Sequence, residues 1–508
     1  MELTFWDGFA FVLFLGAVIL ISLFASRKEK DSEDYFLAGR QLTWWLIGFS
    51  LIASNISTEH FVGMAGAGFG NTGLAVASYE WIAAITLVVI AIFLLPLYLR
   101  LGIFTMPEFL EHRYGVQARK LMAVYMMIAY VGVAIAAVLY SGALGLSTIF
   151  DLDLITGIWL IGIIAGIYTV YGGLKAVVWT DLFQGSALLV GGAIVMFIGF
   201  SKVGGLGEFL SQNQAKLHVM LPSDHPEIPW TAILFGIWIP NFFYWGCNQF
   251  ITQRTLGSKT LAHGQNGTVL AAAIKLVIPF IIIFPGIMAY QLFHNQISTP
   301  DQAYPVLIKH LVPAGLRGVL FAALFGGVMS SLDSMLNSAS TIFTMDIYKR
   351  HLKPDAEPQK VVLVGRYATA IFVIAGCLLA PLPQKFSGVF QYIQMIWGFI
   401  SPGIVAVFFF GLLFRRAPQT AAVTAMILGI PVYGLFLWLL PEVAFLNHMA
   451  FTFIILIIVM AFITWKSPLA EPVRFTTKTG INLEASSWAK KFGVLVIILT
   501  ITLYIYFW

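Results

Sequence analysis

Charge is scarce in this sequence: Asp, Glu, Lys and Arg make up 10% of its 508 residues, against 59% apolar. So little charge cannot cover the surface of soluble domains, and a mean hydropathy of +0.87 makes the same point. Cysteine is nearly absent too. Its two copies, Cys247 and Cys377, both fall inside apolar runs, so there is no disulfide framework and no metal-ligand spacing; small buried hydrophobes account for them. No G-x-x-x-x-G-K-[ST] occurs, which removes the phosphate-cradling loop of direct ATP coupling. H-E-x-x-H is missing as well, and Glu59 beside His60 has the wrong spacing to share a helix face. The longest polar connections, 201–227, 294–315 and 466–487, are too short for a separate domain. An enzyme, or a sensor with a cytosolic output domain, has no place among these residues.

What the chain does have is apolar runs of membrane-spanning length. They fall at about 6–24, 45–68, 76–100, 119–148, 153–172, 178–200 and 228–250, then 268–293, 316–346, 362–382, 387–413, 418–440, 446–465 and 488–508. Fourteen helices of an all-α polytopic membrane protein are expected. The first run has Glu2 and Asp7 before it and Arg27, Lys28 and Lys30 after it, the reverse of a secretory leader, so it reads as an uncleaved span with its N-terminus outside. Alternate connections then hold nearly all the Lys and Arg, including Arg40, Arg113, Arg119, Arg254, Arg350, Arg415 and Lys478. The opposite set holds Lys202, Lys216, Lys309, Arg317 and Lys385. Both termini are therefore expected outside a bacterial cell membrane. The net charge of +5 reads as membrane orientation, with no nucleic-acid partner.

Spans two to six and seven to eleven make two blocks of five. An odd block enters the membrane from the opposite face the second time, which is the inverted-repeat plan of many secondary transporters. The expected division of the single 1–508 unit is a leading segment 1–44, a first repeat 45–200, a second repeat 228–413 and peripheral helices 414–508.

Polar residues concentrate in a few spans. Ser50 to Gly70 reads SLIASNISTEHFVGMAGAGFG: Asn55, Ser57, Thr58, Glu59 and His60 lie at the centre of a run long enough to cross a bilayer, where ionisable groups are expensive and mark a pathway. The cluster and the glycines after it predict a helix interrupted near the midplane. Trp230 to Phe250, with Pro240, Asn241, Tyr244, Trp245 and Asn248, is the matching helix of the second block. The ninth helix carries Ser330, Ser331, Asp333, Ser334 and Asn337; hydroxyls there, with carbonyls of a broken helix near Ile56, can cage a small hard cation, or can simply bond helix to helix. His60, Glu80, Asn241, Lys275 and Gln394 lie on five different spans and together can donate to and accept from the hydroxyls of a polyol, with Tyr244 and Trp245 over a ring face. Glu80 and Lys275 can equally be a buried ion pair. Asp181 reads as an N-terminal helix carboxylate or, with Asp333, Ser334 and Ser331, as a second cation site; a protonated aspartate and a basic partner from the cytoplasmic side are the alternatives.

Long ordered motifs, YFLAGR, SNISTEHFVGMAG, SYEW, YTVYGGLKAVVWTDLFQ, YWGCNQFITQRTL, IKLVIPF, SSLDSMLNSASTIFTMDIY and QYIQ, run from about Tyr35 to Arg416. On these the chain resembles the sodium:solute symporter family, and within it the sodium/glucose cotransporter branch. The resemblance implies the LeuT-type fold with 5+5 inverted repeats, one extra leading helix and three C-terminal helices, and sodium as the co-transported ion. It implies sodium ligands at the carbonyls of Ala53, Ile56 and Gly327 and the hydroxyls of Ser330 and Ser331. It implies sugar at His60, Glu80, Asn241, Lys275 and Gln394, with Tyr244 and Tyr130 as gate, Trp245 alongside and Asn55 bracing the broken helix. Ala83, His60 and Met395 to Trp397 depart from a bacterial relative's pattern and leave the sugar unassigned. The expected function is sodium-coupled symport of a glucose- or galactose-like hexose. Inositol, sialic acid or another organic anion is the alternative solute, and a channel is the alternative class of protein.

Overall fold

The computed structural model describes residues 5–25, 31–57, 59–150, 152–313, 315–382 and 389–508. Glu2, Arg27, Lys28, Lys30, Thr58 and Lys385, named above, lie outside the described residues. Among those that are described the secondary structure is helical, with two isolated bridges, Leu42 to Ser258 and Leu221 to Pro229, and no strand. Among the described residues ten helices are long and apolar enough to cross a membrane. Their burial sorts them by position: 89% of the apolar window of Leu316–Leu352 is covered by other helices, against 22% for Phe5–Phe24 and for Ser487–Tyr506. The polar ninth span is thus central, and the first and last helices show most of their surface to lipid.

Both interrupted helices stop at a residue in extended conformation. Trp44–Asn55 stops at Ile56, with φ −79° and ψ 109°, and helix resumes at Glu59–Met64 and Ala65–Phe69. In the second, Trp238–Phe242 and Phe243–Cys247 stop at Asn248, with φ −86° and ψ 124°, before Gln249–Leu256. Both halves of the first broken helix lie on Leu261–Phe293, and glycine permits the approach. A Cβ at Gly267 would meet the Trp44 carbonyl oxygen at 2.6 Å, and one at Gly286 the Ala65 carbonyl oxygen at 2.0 Å. Such small-residue contacts are how helices pack where no water drives them together.

The structure departs from the sequence expectation in several places. The runs 153–172 and 178–200 join in Leu154–Lys202, kinked at Gly173, so Asp181 lies inside a helix and not at its start. The run 387–413 is two helices within its described part, Val389–Trp397 and Ser401–Leu413. Pro402, in the first turn of the second helix, has no N–H to give the carbonyl four residues back and restarts the helix there. The basic residues Arg113, Arg119 and Arg254, expected in connections, are buried struts. Arg113 donates to the carbonyls of Gly411, Phe414 and Ala417 at 2.6, 2.6 and 3.1 Å, satisfying a helix end that has no partners of its own. Arg119 bridges Glu111 and Asp346, each at 2.7 Å.

Candidate functional site

At the first break, the carbonyls of the last turn of Trp44–Asn55 have lost their intrahelical donors, and the central helix Leu316–Ile342 comes up against them. Ser331 Oγ donates to the Ser54 carbonyl at 3.2 Å. A Cβ at Gly327 would stand 3.4 Å from the Ile56 carbonyl oxygen, and one at Gly185 would meet the Ala53 side chain at 2.5 Å. Ser54 and Ile56 of the broken helix thus lie against Ser331 and Gly327 of the intact one, while Ala53 turns its side chain to Gly185.

Ser330, the other hydroxyl expected there, donates to Asp181 Oδ1 at 2.5 Å. Asp181 is fully buried. Its Oδ2 accepts from Ser50 at 2.5 Å, Ser54 at 3.1 Å and Arg254 at 2.8 Å. Arg254 also donates to Ser334 Oγ at 2.5 Å, to Ser50 Oγ at 2.6 Å and to the Phe250 carbonyl. Asp181 and Ser334 therefore share one network with a built-in counter-charge. Asp333 stands apart from it, accepting from Thr169 Oγ1 at 2.7 Å.

A cavity of about 80 Å³ adjoins the break, lined by Asn55, Ser57, Glu59, His60, Glu80, Asn241, Tyr244, Trp245, Ser331 and Gln394 among others. The residues gathered here come from five separate stretches of sequence, which the two broken helices and their neighbours bring to one depth. Glu80 is held from both sides: Lys275 Nζ donates to Oε2 at 2.5 Å, and His60 Nε2 lies 3.6 Å from Oε1. Lys275 also donates to Asn55 Oδ1 and sits 4.9 Å from the centre of the Trp245 ring. Asn55 in turn donates to Tyr244 Oη at 3.0 Å, so one chain of contacts runs from Glu80 through the break to Tyr244. A second cavity, of about 370 Å³, is lined by Asn71, Thr72, Glu227 and Asp301, and Tyr79 belongs to the wall of both.

The family model of the sodium:solute symporter family matches residues 35–429. The chain belongs to that family. It is 37% identical to the sodium/glucose cotransporter of Vibrio parahaemolyticus, over 100% of this chain and 99% of that one. It is 35% identical to the sodium/myo-inositol cotransporter 2 of Oryctolagus cuniculus, over 82% of this chain and 68% of the relative. Among solved structures, an outward-open sodium-coupled sialic acid symporter aligns with a TM-score of 0.83 at 21% identity, covering 93% of this chain and 100% of that one. A nucleobase-cation-symport-1 family transporter aligns at 0.59 and 14% identity, over 91% and 99%. At these identities the two structures speak for the fold alone: a multi-pass helical transporter of LeuT-like architecture.

As in any member of this sodium:solute symporter family, the interest lies in which side chains converge. His60, Glu80, Asn241, Tyr244, Trp245, Gln394 and Asn55 all face the one cavity. Lys275 lies behind Glu80 with no exposed surface. Tyr130 is outside the lining, donating to Asn248 Oδ1 and accepting from the Phe250 N–H at 3.2 Å, so it closes the second break rather than the cavity. The sequence reading did not assign Glu59 or Trp397 to the cavity and did not give Arg254 its place beside Asp181. Glu59 was visible as one more ionisable residue at mid-span; nothing local in the sequence marks Arg254 as buried.

Proposed function

We propose that this protein is a sodium-coupled symporter of a neutral sugar or a related polyol such as inositol, working by alternating access between two five-helix inverted repeats. In this reading 14 helices span a bacterial cytoplasmic membrane with both termini outside, a sidedness supported by the distribution of Lys and Arg. Sodium sits on Ala53, Ile56, Gly327, Ser330 and Ser331. The solute sits on His60, Glu80, Asn241 and Gln394, with Lys275 orienting Glu80, Tyr244 and Trp245 against the ring, and Tyr130 steadying the inner half of the second broken helix. A second sodium at Asp181, Asp333 and Ser334 would have to exchange with the Arg254 guanidinium.

The observation that carries the sugar reading is the commitment of Lys275. An organic anion needs a cationic donor, and among the described residues the ammonium beside the cavity is held by Glu80 and Asn55. The relatives named as sodium/glucose and sodium/myo-inositol cotransporters support neutral polyols. Energetically no chemistry is required: one sodium ion crossing 100 mV yields about 2.3 kcal/mol, and a tenfold sodium gradient adds about 1.4 kcal/mol, enough for a several-hundred-fold solute gradient. Uptake into proteoliposomes, driven by sodium and tested with glucose, galactose, inositol, sialic acid and proline, is the direct test. Sodium-independent, non-accumulating flux would indicate a channel, and accumulation of sialic acid alone would replace the sugar with an anion.

Ser331→Ala is expected to raise the sodium concentration for half-maximal uptake by about tenfold, the equivalent of ~1.4 kcal/mol, since it removes a cage oxygen and leaves His60, Glu80, Asn241 and Gln394 in place. An unaltered sodium curve would move the cation elsewhere.

A further inference from the structure

The proposed sugar contacts leave one carboxylate of the cavity without a task. Glu59 opens the outer half of the first broken helix and lines the cavity beside His60. It is half-buried. Among the described residues no ion pair includes it. The ammonium of Lys275 is held by Glu80 and Asn55, and among the described residues no Lys or Arg lines the cavity. The larger cavity across Tyr79 repeats the pattern: Glu227 and Asp301 line it, with no Lys, Arg or His. Lys216 lies close by, but its ammonium donates to the carbonyls of Phe69 and Gly70 at 2.8 and 2.6 Å.

We propose that Glu59 is a charge-selecting residue of the solute site, barring anionic sugars and accepting neutral polyols and amine-bearing sugars. The inference rests on the sugar-symport reading above and narrows its substrate class. In its ionised form Glu59 is acceptor-only: a sugar hydroxyl or ammonium donates to it, and an ammonium beside it favours that form, whereas a uronate or sialate carboxylate would meet a like charge in a site from which most water is excluded. Glu80 does not act in this way, because Lys275 neutralises it. The carboxylates of the larger cavity extend the same sign of field outward, which attracts sodium and repels anions before they reach the site.

The test is competition against sodium-driven uptake of whichever of labelled D-glucose, D-galactose or myo-inositol the proteoliposomes accumulate best. The competitors are glucosamine and glucuronate, applied to wild type, Glu59→Gln, Glu59→Ser and Glu59→Asp. In the wild type glucosamine should compete within tenfold of the unlabelled neutral solute and glucuronate at least a hundredfold more weakly. Glu59→Gln should shrink the glucuronate gap to tenfold or less, and Glu59→Asp should keep it. A purely structural role for Glu59 would lower all affinities together and leave the ratios unmoved, which would overturn the proposal. So would wild-type protein that takes glucuronate as readily as the neutral sugar, a result independent of whether any variant folds. Glu59→Ser serves where Glu59→Gln does not reach the membrane. Absence of sodium-driven uptake of every neutral solute overturns the sugar-symport reading itself and this proposal with it; uptake with unmoved ratios overturns this proposal alone.

Discussion

Arg254→Met is expected to leave little folded protein, with stability lowered by about 3–5 kcal/mol, the typical result of removing one member of a buried ion pair. The guanidinium and the Asp181 carboxylate are 2.8 Å apart, with 1% and 0% of their side-chain surface exposed. Removing the guanidinium strands a carboxylate in the bundle and also unties Ser50, Ser334 and the Phe250 carbonyl, which belong to three different helices. Breaking the pair from both sides is a different matter. In Asp181→Asn/Arg254→Met no charge is left unpaired, so most of the loss should be recovered. Thermal unfolding of the purified protein in detergent, followed by retention of monodisperse material, reads both variants. If Arg254→Met alone were as stable as the parent, Asp181 would have to be protonated, and the network around it would be an ordinary set of hydroxyl contacts.

That prediction turns on a residue the sequence pointed away from. Arg254 follows the apolar run 228–250 and looks like one more basic residue of a cytoplasmic connection; in the structure the helix continues to Leu256 and carries it inward. Helix extent past an apolar run is decided by partners elsewhere in the chain, here Asp181 and Ser50, and hydropathy does not see them. Arg113 lies between the spans Gly73–Leu101 and Val116–Ser147, as expected, and Arg119 near the start of the second; hydropathy does not show that both are buried. The first break was legible because Ser54, Asn55 and Ser57 are polar residues at mid-span, with no other reason to be there. The second was legible in kind but not in position. Pro240 lies within the Trp238–Phe242 helix and the extended residue is Asn248, since proline near a helix start is tolerated and a shortage of donors at the far end is not. The convergence of His60, Glu80, Asn241 and Gln394 on one cavity was expected on the family resemblance; from composition and spacing alone these were only polar residues on separate spans. That Lys275 stands behind Glu80 is a matter of depth, which no linear pattern encodes.

Lys275→Ala should abolish measurable solute binding, with a loss of at least a hundredfold, because the lysine holds both sides of the cavity. Its ammonium donates to Glu80 at 2.5 Å and to Asn55, and Asn55 donates onward to Tyr244 at 3.0 Å. Without it, Glu80 is a buried carboxylate with only His60 nearby, 3.6 Å away, and the break in the first helix loses the contact that fixes Asn55. An uncompensated buried charge costs about 3–5 kcal/mol, and every 1.4 kcal/mol is a factor of ten in affinity. Lys275→Arg should not restore binding, since a planar five-donor fork cannot occupy the pocket of a compact ammonium packed against Trp245. Lys275→Met/Glu80→Gln separates folding from function: with the charges removed together the protein should regain stability, yet the carboxylate acceptor for a sugar hydroxyl is gone, so affinity should stay low. Equilibrium binding of the transported solute, with thermal stability measured on the same preparations, tells these apart. Wild-type affinity in Lys275→Ala would mean that Glu80 and Lys275 are wall and not site. Recovery of affinity in the double variant would mean that Glu80 touches no solute, leaving Asn241, Gln394 and His60 to hold it.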